Sequence, residues 1–130
     1  MTGFSEAAAS TIRLRSGNRC ERCGGTDALQ IHHRSPRGMG GSHRAGAQRV
    51  NQVSNGVRLC QHCHHWAESN RSAAGADGLL IARDEDPAST PVLLTPWCGR
   101  GFYILTADGM YETAGGRNGE DWPGGDMPDV

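Results

Sequence analysis

The chain has 130 residues, 36% of them hydrophobic and 5% aromatic, with 19 glycines; this suits one domain with a thin core that needs an added staple. No apolar run approaches the roughly 18–20 residues that span a bilayer, and the start, MTGFSEAAAS, lacks the regions of a secretory signal, so a cytoplasmic protein without membrane contact is expected. The net charge of −1 hides a split: residues 1–72 carry ten arginines against four acids (+6), and residues 73–130 carry three against ten (−7). The first half therefore has the charge of a phosphate-binding surface. Every basic residue is arginine, a bias that a GC-rich genome produces as readily as a need for bidentate phosphate contacts.

In chain order, residues 4–15 read as a helix, with Ser5 as its N-cap and Ser16-Gly17-Asn18 as its stop. Cys20-Glu21-Arg22-Cys23-Gly24-Gly25 reads as a knuckle turn, its glycines letting backbone amides approach thiolate sulfur. The alternating run Leu29-Gln30-Ile31-His32 predicts a short strand ending at a His-His pair. Residues 34–49 hold Pro36, four glycines and four arginines and predict a polar loop. Val57-Arg58-Leu59 predicts a second strand leading into a second knuckle at Cys60 and Cys63. A helix should follow, with Trp66 turned to the core and Gly75 and Gly78 ending it. Three short strands are expected beyond it, at 79–82, 92–94 and 102–105, and a Gly-, Pro- and acid-rich disordered tail from residue 113.

Chemistry-bearing residues crowd into one window, 20–68, which contains all six histidines and four of the five cysteines. Two Cys-x-x-Cys pairs, Cys20/Cys23 and Cys60/Cys63, are separated by 36 residues. In a cytoplasmic chain such pairs point to four thiolates around a structural Zn²⁺ rather than to disulfides. A redox pair is the weaker reading, because neither motif opens a thioredoxin-like helix. A closed site of four thiolates has no open coordination position, so the chemistry must lie elsewhere. Cys98 is left over and is expected to be a buried small hydrophobe.

The insert between the knuckles resembles the HNH nuclease family. The resemblance is carried by Leu29-Gln30-Ile31-His32-His33, Asn55-Gly56-Val57-Arg58-Leu59-Cys60 and Cys63-His64, with nine positions from Asn55 to His64. It covers about residues 15–75 and is most similar to small HNH proteins of actinobacterial phages and prophages. It implies an α+β fold: a ββα-metal core over 1–75 stapled by the zinc site, with an N-terminal helix, a β-rich extension over 76–112 and the tail over 113–130. It implies His32 and His64 as ligands of a catalytic Mg²⁺, Mn²⁺ or Ni²⁺, His33 as the general base and Asn55 as the residue that holds the loop and orients it. Many members place another histidine four residues after the first helix histidine; here that position is Glu68, either a hard oxygen ligand or a surface acid.

Arg34 and Arg37 are expected to contact phosphate, while His62 and His65 are surface residues or further phosphate contacts, and His43 has no role. The implied activity is metal-assisted hydrolysis of DNA phosphodiester bonds with low sequence preference, in a monomer or weak dimer. Implied partners are DNA and a phage terminase subunit. The rival reading is a catalytically inactive, zinc-stabilised DNA-binding module.

Overall fold

The computed structural model describes residues 4–35, 52–82 and 84–114. Within them the chain is a mixed α+β fold with two small sheets. Helix α1 spans Glu6–Ser16. Ser5 caps it, its hydroxyl accepting Ala8 N at 3.0 Å, and Gly17 ends it in the left-handed conformation (φ 67°), where only glycine is unstrained. Its buried side carries Ala9, Ile12 and Arg15.

Strands β1 (Gln30–His33) and β2 (Gly56–Leu59) pair antiparallel, His32 opposite Val57 and His33 opposite Gly56. A 3₁₀ turn, Val53–Asn55, leads into β2. Alternation along β1 sends its two histidines to opposite faces. His32 faces helix α2 (Gln61–Ser69), and His33 faces α1 across Gly56. A Cβ at Gly56 would lie 2.6 Å from Ile12 Cδ1 and 2.9 Å from Phe4 Cζ. Glycine here is what lets α1 lie directly on the hairpin.

The expected single helix after Cys63 is two. Helix α2 stops at Asn70 (φ −127°, ψ 60°) and α3 runs from Arg71 to Ala76. Asn70 is a helix-breaking type whose side chain turns back onto the Trp66 carbonyl at 3.0 Å. The strand expected at 79–82 does not form. Its backbone is spent elsewhere: Leu79 N on Ala74 O, Ile81 N on Arg34 O and Leu79 O on His32. Strands β3 (Val92–Leu94), β4 (Gly101–Leu105) and β5 (Tyr111–Thr113) form a second antiparallel sheet in that order. Thr113 thus belongs to a strand and Ala114 N bonds Phe102 O at 3.0 Å, so ordered chain extends into the expected tail; residues 115–130 lie outside the described residues.

One core serves both sheets. Val57 and Leu59 of the hairpin, Cys20, Cys60 and Cys63, Ala67 and Ala74 of the helices, and Leu79, Val92, Leu94, Tyr103 and Leu105 form a single buried cluster. The expected boundary at residue 75 runs through the middle of it.

Candidate metal centre and the adjoining histidines

Cys20, Cys23, Cys60 and Cys63 come together with all four sulfurs within 4.8 Å of one another. Among the described residues no other group of three or more His, Cys, Asp or Glu side chains converges in this way. The Cys23–Cys60 sulfur separation is 3.7 Å. Four thiolates at about 2.3 Å from one ion in a tetrahedron stand about 3.8 Å apart, so these four cysteines could hold a metal ion such as Zn²⁺. The knuckles build it from local geometry. Gly24 adopts φ 84°, which lets Cys20 N reach Gly25 O at 2.7 Å and Gly25 N reach Cys23 Sγ at 3.3 Å. Cys60 is the N-cap of α2 and accepts Cys63 N, so helix-end dipoles face a thiolate. Burial pushes the Cys63 thiol up, with Cys20 adding to it, while Arg22 opposes the rise. Without a cation the Cys63 thiol would stay protonated; a bound ion reverses that balance.

Beside the cage, β1 and α2 bring His32 and His64 together, ring centroids 5.2 Å apart and edge to face. Two imidazoles sharing one ion hold their centroids about 5 Å apart. The Nε2 of His32 lies 2.7 Å from Leu79 O. A carbonyl only accepts, so Nε2 carries the proton and Nδ1 keeps its lone pair for a ligand. Burial holds the His32 imidazole down to about 4, helped by His64, so it is neutral at physiological pH. His64 Nε2 is 3.5 Å from Glu68 Oε2 on the exposed side of α2, close enough for Glu68 to face the same ion. His32, His64 and Glu68 do not by themselves draw together into a closed ligand set.

His33 stacks on Phe4, centroids 4.3 Å apart and planes 14° from parallel. Asn55 is fully buried. Its Oδ1 accepts Ser35 N at 2.8 Å, its Nδ2 donates to Ser35 O at 3.4 Å, and its carbonyl accepts Arg34 N at 2.9 Å. It therefore pins the chain immediately after His33.

Arg34 corrects the expectation of a phosphate contact. It is 0% exposed, and its guanidinium donates to Gly78 O, Ser54 O, Pro87 O and Thr90 O at 2.7–3.1 Å. It draws the backbone at Ser54, Gly78, Pro87 and Thr90 together from inside. Arg37, with His43, lies outside the described residues. His62 and His65 are exposed on α2. Cys98 is exposed rather than buried, its thiol 3.5 Å from Tyr103 Oη. Trp66 is half-buried and packs against the core.

Two residues carry structure that sequence reasoning missed. Glu21, inside the first knuckle, is buried and fully bonded: Arg15 Nε and Nη2 at 2.7 and 2.8 Å, Tyr111 Oη at 2.6 Å, Arg58 N at 2.7 Å. Arg15 also donates to Gly56 O at 2.6 Å. The pair ties α1, the knuckle, β2 and β5 together. The only signal in the sequence was an acid and a base near the first knuckle, common on any surface. No protein-family model, curated protein or solved structure matches the chain.

Proposed function

We propose that the protein is a metal-dependent DNA endonuclease of the HNH type, cutting phosphodiester bonds with low sequence specificity. The observation that carries this reading is the meeting of β1 and α2, which sets His32 against His64 at 5.2 Å while Asn55 fastens the backbone just past His33. His32 and His64, with Glu68 as a third group, would hold a divalent ion, which would offset the negative charge developing on the phosphate and its leaving oxygen. The chain's own residues do the rest. His33 takes the proton from the attacking water, a task suited to an imidazole. Asn55 acts through His33 by fixing the strand end from which it projects. The Leu79 carbonyl holds His32 in the tautomer whose Nδ1 lone pair would be open to a metal. Nitrogen donors favour Ni²⁺, and a carboxylate from Glu68 moves the preference toward Mg²⁺ or Mn²⁺. Low specificity follows from a sequence without a finger array to read base edges.

A phage terminase subunit is the protein partner this reading suggests; failure of the two to co-purify would remove it. A second reading, an inactive zinc-stabilised DNA-binding module, is favoured by the Phe4 ring lying flat on His33. A plasmid-nicking assay separates the two. Wild type and His33→Ala, both zinc-loaded and folded, are compared with Mg²⁺, Mn²⁺, Ni²⁺ or EDTA. The nuclease reading expects metal-dependent cutting by wild type and at least a 100-fold loss in the variant, the usual worth of a general base. DNA binding without cutting by either protein establishes the module. Equal cutting by both removes His33 from the role of base.

A further inference from the structure

Every sulfur of the cysteine cage receives an N–H donor, and three of these donors are backbone amides. Cys23 N serves Cys20 at 3.4 Å, Gly25 N serves Cys23 at 3.3 Å and Cys63 N serves Cys60 at 3.4 Å. The fourth donor is a side chain: Arg22 Nη1 lies 3.2 Å from Cys63 Sγ. The reason lies in where each knuckle leads. After Cys23 the chain bends through Gly24 and Gly25, which leaves an amide to turn back onto sulfur. After Cys63 the chain is helical, and helical amides are committed to carbonyls four residues back, as His64 N is to Cys60 O at 2.9 Å. A backbone donor of the Gly25 kind is therefore denied to Cys63.

Arg22 is held in place to fill that role. Its guanidinium carbon lies 3.9 Å from the centre of the Trp66 ring, and Trp66 stands one helical turn beyond Cys63 on α2. The arginine starts in the first knuckle, crosses to the second and rests on the helix that the second knuckle begins. Stacking fixes the guanidinium plane and leaves its N–H edge for sulfur.

We propose that Arg22 and Trp66 form a clasp over the zinc site that retains the metal and shields Cys63. A zinc tetrathiolate carries a net charge of about −2, and its sulfurs react with electrophiles according to their electron density and access. A charge-assisted hydrogen bond reduces the first and the stacked pair reduces the second. The proposal rests on the four-cysteine cage alone and stands whether or not the protein cuts DNA.

The test uses the zinc-loaded full chain as wild type, Arg22→Met, Arg22→Lys and Arg19→Met, the last removing an exposed arginine just before the same knuckle. Zinc affinity is read by competition with a chromophoric chelator. Alkylation by iodoacetamide is followed at each cysteine by mass spectrometry. Arg22→Met should bind zinc 10–100-fold more weakly, the usual effect of losing an outer-shell partner, and Cys63 should alkylate faster while Cys20 and Cys60 do not. Arg22→Lys, which keeps the charge but loses the fork and the stack, should fall between. With ¹¹³Cd in place of zinc, the cadmium resonance should move in Arg22→Met and stay in Arg19→Met. Affinity and Cys63 reactivity equal to those of Arg19→Met would overturn the clasp. So would simultaneous exposure of all four thiols in Arg22→Met, which would mean that the fold had opened. Trp66→Leu supplies an independent arm: it leaves the guanidinium but removes its platform, so a Cys63 rate unchanged from wild type also overturns the proposal.

Discussion

A guanidinium buried without a carboxylate survives only if its N–H groups are satisfied, and Arg34 satisfies them on main-chain carbonyls alone. Burial, with Arg15 adding to it, pulls its pKa down to about 10, still far above physiological pH, so it stays charged. Arg34→Met removes the donors of five hydrogen bonds and leaves their main-chain carbonyls unpaired. The expected loss is about 3–5 kcal/mol, read as a lower urea midpoint, and Arg34→Lys should recover only part of it because an ammonium cannot reach all five acceptors. A midpoint within about 0.5 kcal/mol of wild type would show that the segment does not depend on this side chain. His32 gives the complementary case, a base kept neutral by burial. In the unfolded chain its ring takes up a proton as the pH falls through 6.5, but in the folded protein not until about 4. The folded value is depressed, so this group's contribution is full above pH 6.5 and is lost as the pH falls from there to about 4. The loss is on the order of 3 kcal/mol. His32→Gln keeps an N–H donor without a titrating ring, and its stability should fall less steeply across that window, measured by urea unfolding without added divalent metal. Parallel pH curves for the two proteins would mean that His32 is not buried neutral.

The elements show where local signals suffice and where they fail. Ser5, Gly17 and the two Cys-x-x-Cys turns act through backbone geometry within a few residues, and for them sequence and structure agree. The β1–β2 pairing was legible because a His-His pair and an Asn-Gly step mark the ends of two short alternating runs. The strand expected at 79–82 failed because tertiary partners claimed its backbone: His32 took the Leu79 carbonyl and Arg34 O took Ile81 N. No periodicity within LLIA carries that information. Strand β5 escaped notice for the opposite reason. Tyr111-Glu112-Thr113 is too short to show a period, and what holds it is its ladder to β4 and the Tyr111 hydroxyl on Glu21, 90 residues away in the chain. Gly56 tests the packing of α1 directly. Gly56→Ala forces a methyl against Ile12 and Phe4, and overpacking of this kind costs about 1–3 kcal/mol. Ile12→Val in the same chain should return part of that loss by withdrawing the closest atom, Cδ1. A double variant no more stable than Gly56→Ala alone would mean that the strain lies in the strand and not in the contact with α1.

At the scale of the whole molecule, the four converging cysteines and the neighbouring histidine pair were legible as candidates in the sequence because cysteine and histidine at fixed spacings announce themselves. The residues that position them were not, because Glu21, Arg34 and Leu79 act through partners distant in sequence. The same long-range bonds decide what counts as a folding unit. The buried cluster is shared, with the three cysteines, Val57 and Leu59 on one side of residue 75 and Leu79, Val92, Leu94, Tyr103 and Leu105 on the other. Cutting the chain after Ala76 removes five of its twelve members, the acceptor of His32, four of the five carbonyls that satisfy Arg34 and the Tyr111 hydroxyl on Glu21. Zinc held by the four cysteines would close a 36-residue loop between the knuckles, a constraint of the kind that raises stability by about 3–4 kcal/mol when a disulfide supplies it. It cannot replace that core. A fragment of residues 1–76 should therefore bind zinc through its four cysteines yet show no cooperative thermal transition, whereas the full chain melts cooperatively with zinc and loses that transition when a strong chelator strips it. The two arms separate the contributions. A fragment that melts sharply with zinc would make residues 1–76 self-sufficient. A full chain indifferent to the chelator would reduce the cysteine cage to four packed thiols, and with it the staple that so thin a core requires.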